Sequence, residues 1–139
     1  MKGYKKTEAI LYDYKLKKTQ IECDKLSIEE INIYENHISA ISYDGLKVDT
    51  SNISNPTEKE AINMISKKDL YLERIKYNTI LINKIESAVN SLSDTEKEIV
   101  DHKYFAEMAD CDVYNLMGLS KTVYYKTKKN IINKLRRLL

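Results

Sequence analysis

A single proline and three glycines punctuate 139 residues, and this scarcity narrows what the chain can fold into. The tight turns of β-rich folds draw on Gly, Pro and pairs such as Asn-Gly, so a many-stranded protein would lack its corners here. Helix interiors tolerate Gly and Pro worst of all residues and lose nothing by their absence. The chain is therefore expected to be all-α. Hydrophobic residues at 42% and charged ones at 32% suit amphipathic helices around a modest core.

Several function classes find no support in the sequence. No apolar run approaches the roughly 20 residues of a membrane span, and no signal-peptide core is present, so no membrane partner and a cytoplasmic location are expected. Cys23 and Cys111 stand far apart, outside any Cys/His cluster, which argues against zinc and for reduced thiols. Cys111 is expected to be a small buried residue. His37 and His102 read as ordinary helix or loop residues. The carboxylates are scattered over polar faces, and no catalytic constellation can be assembled. An enzyme is not expected, and no catalytic residue, cofactor or metal is assigned.

Taken in order, Met1–Lys6 reads as a short, frayed basic start. A helix is expected from Thr7, which is placed to cap it, with Tyr14, Ile21 and Ile28 seven apart on one stripe. Ser27 and Glu30 form a capping-box pattern that would restart a short helix over Ser27–Asn36. Residues 38–56 hold Asp44-Gly45 and a run of Thr, Ser and Asn, and Ser39–Asn55 reads as an exposed connection. Thr57 and Glu60 form a second capping box behind Pro56 and open the longest helix. Ala61, Ile65, Leu72, Ile75, Ile82, Ile85, Val89 and Leu92 give that helix, roughly 50 Å long at 1.5 Å per residue, a continuous apolar stripe. Its seam calls for a mate: the N-terminal helices folded back, a second copy of the chain, or both. Ser93 and Glu96 form a third capping box, with Leu92 as the staple residue, and start a helix over Asp94–Phe105 that buries Ile99, Val100, Tyr104 and Phe105. Asp110 is placed to cap the next helix.

The stretch Asp112–Leu139 carries the strongest functional signal. Val113, Leu116 and Met117 give a short helix one apolar face. Gly118 supplies the positive φ of a helix end, Leu119 tucks under the turn, and Ser120 caps a second, longer helix. Tyr124, Thr127, Ile131, Ile132 and Leu135 line one face of that longer helix, and Lys121, Thr122, Tyr125, Lys126, Lys128 and Lys129 fall on the other. Short helix, glycine turn, cap and basic helix make the helix-turn-helix layout. From Val113 onward there are seven basic residues and no acid, whereas Met1–Asp112 holds 16 basic against 21 acidic, net −5. An acidic body with a basic tip is the footprint of a nucleic-acid reader. Lys121, Thr122 and Tyr125 are the candidates for base contact. Lys126, Lys128 and Lys129 are assigned to phosphates, with Ser120 and the following amides at the helix N-terminus. Arg136 and Arg137 are assigned only to the solvated tail.

The helix EKEIVDHKYF, the turn block DVYNLMGLS and the basic helix bearing Tyr124, Ile131 and Leu135 resemble region 4 of sigma factors, with Tyr114 standing where that motif usually has Ala. Over nearly its whole length, most strongly Pro56–Leu135, the chain is similar to the RinA/ArpU group of phage transcriptional regulators of Gram-positive bacteria. That resemblance implies a phage or prophage activator of late genes that binds double-stranded DNA near promoters and works with host RNA polymerase. The expected architecture is a long helical hairpin over 1–92, N-terminal helices against one long central helix, serving dimerisation or partner contact. A three-helix sigma region 4-like DNA-binding unit occupies 93–139. Two alternatives are an adaptor that binds RNA polymerase or a sigma or anti-sigma partner, and a small-terminase-like subunit that recognises DNA for packaging.

Overall fold

The structure, a computed structural model, describes residues 2–43 and 55–139. Among the described residues it is helical throughout and contains no strand. The elements are α1 (Lys2–Tyr43), α2 (Asn55–Asn90), α3 (Asp94–Val100), a π-helical turn (Asp101–Phe105), α4 (Asp110–Leu116) and α5 (Lys121–Arg136).

The N-terminal segment is one helix from Lys2, with neither a frayed start nor a break at Ser27. Both expected caps lie inside it. The Thr7 hydroxyl donates to the Gly3 carbonyl at 2.9 Å and the Ser27 hydroxyl to the Cys23 carbonyl at 2.9 Å. A hydroxyl that bonds the carbonyl four residues back is satisfied without ending the helix, so the cap pattern loses its meaning in mid-helix. The helix continues to Tyr43, so the expected connection does not begin at Ser39, and 44–54 lie outside the described residues. At the other side α2 begins at Asn55, which places Thr57 inside the first turn rather than at the cap.

The chain forms two compact units, Met1–Lys18 with Thr79–Leu139, and Thr19–Asn78. This division differs from one at residues 92 and 93. The start of α1 and the end of α2 belong with the C-terminal helices because Leu11, Ile85, Ala88, Val89 and Leu92 share one core with Ile99, Tyr104, Val113, Tyr124, Ile131 and Leu135. Around that core Tyr12 meets Tyr104 edge-on at 5.0 Å, and Tyr14 stacks on Phe105 at 4.2 Å. Phe105, expected to be buried, is half-buried at the rim of the core. Tyr14 also donates to Glu86 at 2.6 Å, tying α1 to α2.

The second unit has a different interior. Asn78 donates to Gln20 at 2.8 Å, Lys68 donates to Asn32 at 2.7 Å, and Arg74 binds the buried Asp24 with two guanidinium nitrogens. Partner numbers that rise on α1 as they fall on α2 mark the two stretches as antiparallel within this unit. Of the expected apolar stripe, Ile65 and Leu72 are exposed here, while Ile82, Ile85, Val89 and Leu92 are buried in the first unit.

Candidate nucleic-acid interface

The C-terminal helices are set by short-range chemistry. Ser93 and Glu96 form the reciprocal capping box, with the Ser93 Oγ accepting from the Glu96 amide and the Glu96 carboxylate from the Ser93 amide, each at 3.3 Å. Lys134 of α5 reaches the same carboxylate at 2.9 Å. Burial opposes ionisation of Glu96, but the Lys134 ammonium and the Ser93 groups hold it below the usual carboxylate range. After the π-helical turn, closed by Ala106 N–H to the Asp101 carbonyl at 2.8 Å, the chain reverses through Glu107, whose φ is 55°. Such a wide turn is a known local variant of the helix.

Between α4 and α5 the backbone forms a Schellman turn. Leu119 N–H donates to the Tyr114 carbonyl at 2.9 Å and Gly118 N–H to the Asn115 carbonyl at 3.3 Å, with Gly118 at φ 66°. Leu119 packs against the core, and the Ser120 oxygen accepts from the Val123 amide at 3.3 Å to cap α5. Tyr124, Ile131, Ile132 and Leu135 are fully enclosed. Tyr114 lies half-buried with its ring tilted against Tyr124 at 5.6 Å, so the larger side chain is accommodated in the angle between the helices.

Three expectations for α4 are corrected. The residue before it is Ala109, with no side-chain cap, and Asp110 is the first helical residue. Cys111 is exposed, because it lies in the first turn of α4 on the side away from Val113. Leu116 is also exposed, since Val113 alone of that face points to the core while Met117 packs at its edge.

The carboxylate of Asp110 instead closes a charged network beneath α5. It accepts from the Tyr124 hydroxyl at 2.6 Å and from Lys128 at 3.2 Å, with Lys103 at 3.5 Å. Lys128 also faces Glu8 of α1 at 3.7 Å, and Glu8 accepts from the Tyr104 hydroxyl at 2.8 Å. Burial opposes ionisation of Asp110, but the Tyr124 hydroxyl and Lys128 hold it below its ordinary value. Burial and the bond to Asp110 push the Tyr124 hydroxyl far up, and burial and Glu8 do the same to Tyr104. These hydroxyls therefore serve as protonated donors.

The candidate residues sort accordingly. Ser120, Lys121, Thr122, Tyr125, Lys126 and Lys129 are exposed at the start and along the outer face of α5. Lys128 is not among them: its side chain is 12% exposed and neutralised by two carboxylates, so it braces α5 from inside. The signal was present in the spacing, because Lys128 lies four residues after Tyr124 and three before Ile131, on the buried stripe. Its partner Glu8, 120 positions away, was not foreseeable. Arg136 is a further exposed cation that follows Thr122 and Lys129 at seven-residue steps.

Comparison with family models, curated proteins and solved structures gives no match. The first unit carries 16 basic and 10 acidic residues, net +6, and the second 7 and 11, net −4, which together make the 23 and 21 of the chain. Among the described residues no group of His, Cys, Asp and Glu could hold a metal ion, and no helix is long and apolar enough to cross a membrane.

Proposed function

We propose that the protein is a sequence-specific double-stranded DNA-binding transcriptional regulator. In this reading α3 with its π-helical turn, α4 and α5 form a sigma region 4-like helix-turn-helix, and α5 enters a major groove. The observation that carries it is the asymmetry of α5. Its inner face is enclosed by the core, and its outer face presents Lys121, Thr122, Tyr125, Lys126 and Lys129 behind a capped, glycine-turned N-terminus. Lys121, Thr122 and Tyr125 would meet base edges, and Lys126 and Lys129 phosphates. Late-gene activation with host RNA polymerase, a phage or prophage origin and a cytoplasmic location are parts of the proposal that derive from the RinA/ArpU resemblance. No catalytic role is included.

The experiment is retention of a random duplex pool at two salt concentrations, followed by sequencing. Enrichment of a defined site, with affinity falling steeply as salt rises, is the expected result. Replacing Lys126 and Lys129 by Ala should weaken binding to all sequences and reduce the logarithmic salt slope by about 2. Duplex DNA that fails to be retained even at low salt would remove the reading.

A protein-interaction role is the second reading, and the surface of the second unit favours it. Leu26 and Ile33 on α1, and Ile65 and Leu72 on α2, are exposed pairs seven residues apart in an acidic unit. Such stripes suit a helical partner, either RNA polymerase or a second copy in a homodimer. Loss of partner binding on changing Ile65 and Leu72, in a protein that does not bind DNA, would make this the leading reading.

A further inference from the structure

The first two turns of α1 carry Lys2, Lys5 and Lys6, all exposed, and no acid stands in the first turn. Helix N-termini ordinarily attract acids, because the backbone there is electropositive. The next acid in sequence, Glu8, is turned inward to Tyr104 and Lys128. A second helix adds to the positive charge. Gly3 lies so close to α5 that a Cβ on it would stand 2.8 Å from the Cδ of Arg136. The absent side chain lets the Arg136 stem pass across the start of α1. Arg136 itself continues the outward line of Thr122 and Lys129, since seven residues are close to two helical turns. Exposed cations of α5 and of the start of α1 thus approach each other where Arg136 crosses Gly3, with Lys6 one helical turn further along α1 on the Gly3 side. None of Lys2, Lys5, Lys6 and Arg136 has a carboxylate partner among the described residues.

We infer that the first two turns of α1, together with Arg136, form a second phosphate-binding surface that seats the DNA backbone flanking the groove entered by α5. This rests on the DNA-binding reading and extends it to an element at the opposite end of the sequence. A polyanion with evenly spaced charges matches a track of separated cations, each contact releasing condensed counterions. An anionic membrane is a poorer match, because Tyr4, the large apolar residue of these turns, packs against the core and leaves nothing to insert into lipid.

The test compares three forms of the full chain binding a duplex across a range of KCl concentrations: wild type, the triple variant K2A/K5A/K6A, and a control K59A/K67A/K76A that removes the same charge from exposed positions of the second unit. The lysines of the first set are exposed, and melting curves confirm that each variant is folded. The triple variant is expected to lower the logarithmic salt slope by about 2 to 3 and to weaken every duplex alike, with sequence preference unchanged. Arg136→Gln, which keeps a stem against Gly3 and removes the charge, is expected to lower it by about 1. Wild-type binding with a slope equal in the triple variant and the control overturns the inference and leaves the DNA-binding reading standing. A triple variant that keeps the wild-type affinity and salt slope for DNA but loses the wild type's binding to phosphatidylserine-containing vesicles, measured beside the duplex, also overturns it. Absence of wild-type binding to DNA overturns both.

Discussion

Leu135 in the first unit is fully enclosed, while Leu72 in the second, on an equally regular apolar stripe, is 48% exposed. The residue type and the helical spacing are the same, so the difference lies in what surrounds them. In the first unit, segments of five helices and a π-helical turn meet from several directions, and the stripes of α5 and of the end of α2 are covered. In the second unit two antiparallel stretches face each other, and each can shelter one line of side chains. That line contains Ile21 but also Asp24 and Asn78, which are buried with polar partners. Seven-residue periodicity therefore specifies a helix with a preferred side and does not by itself specify burial.

The sharpest contrast is expected from matched truncations. Leu135→Ala should cost about 2 to 5 kcal/mol, as large-to-small changes in an enclosed core do, whereas Leu72→Ala should stay within about 0.5 kcal/mol, as exposed substitutions do. Urea unfolding curves of the two variants measure both. A large cost at Leu72, growing with protein concentration, would break the comparison by showing that a second copy covers that face in solution.

Acid should next separate a network from a simple surface. Asp110, Glu96 and Glu86 all have depressed pKa values in the folded state: Asp110 and Glu96 despite burial, Glu86 chiefly through its bond from Tyr14. A carboxylate with a lowered folded pKa stabilises the fold above its ordinary value, and that contribution is lost as pH falls through the folded pKa. Stability of the first unit is thus expected to be level at neutral pH and to decline below the ordinary values of 4.5 for the glutamates and 3.8 for Asp110. At the alkaline end, Tyr104 and Tyr124 are raised above 10, so the unfolded chain ionises first and stability should fall as pH rises past 10. Asp110→Asn should flatten the acid limb. An unchanged limb in thermal melts would remove Asp110 from this account.

These cases show which parts of the molecule were legible in sequence. The Ser93 box, the Gly118 turn and the Ser120 cap depend on partners within a few residues, and each pattern corresponds to the bond it describes. Thr7 and Ser27 carry similar patterns but sit within a helix that has no reason to stop, so their hydroxyls turn to the preceding carbonyls. All-helical character came from the missing turn residues. The pairing of Lys128 with Glu8, the inward turn of Asp110 and the passage of Arg136 over Gly3 join positions remote in sequence, where spacing carries no information. For the candidate interface, the basic face of α5 could be read from periodicity, and the bracing of that helix by Asp110 and Glu8 could not.

Gly118→Ala tests the local side of that contrast. No atom would touch the added methyl, so steric crowding contributes nothing and the cost is the backbone strain of φ 66°. About 1 to 2 kcal/mol is expected. Thermal melts should show it, and a neutral result would mean that the turn relaxes to another conformation.

The smallest effect is expected at the polar seam of the second unit. Asn78→Ala removes a neutral hydrogen bond to Gln20 and should cost about 1 kcal/mol, close to the net worth of such a bond. Its more telling consequence concerns register. Asn78 with Gln20, Arg74 with Asp24 and Lys68 with Asn32 are the pairs that match position to position between the two stretches, because exposed Leu and Ile side chains would tolerate a slide. Replacing Asn78 by Leu extends apolar contact and should leave stability nearly unchanged or slightly raised, as when a buried polar pair gives way to packing. It should also weaken alignment, visible as faster amide exchange in residues 19–32 and 68–78. Exchange that stays as slow in Asn78→Leu as in the wild type would assign the register to the few apolar contacts around Ile21, and the polar seam would then be a consequence of the alignment rather than its cause.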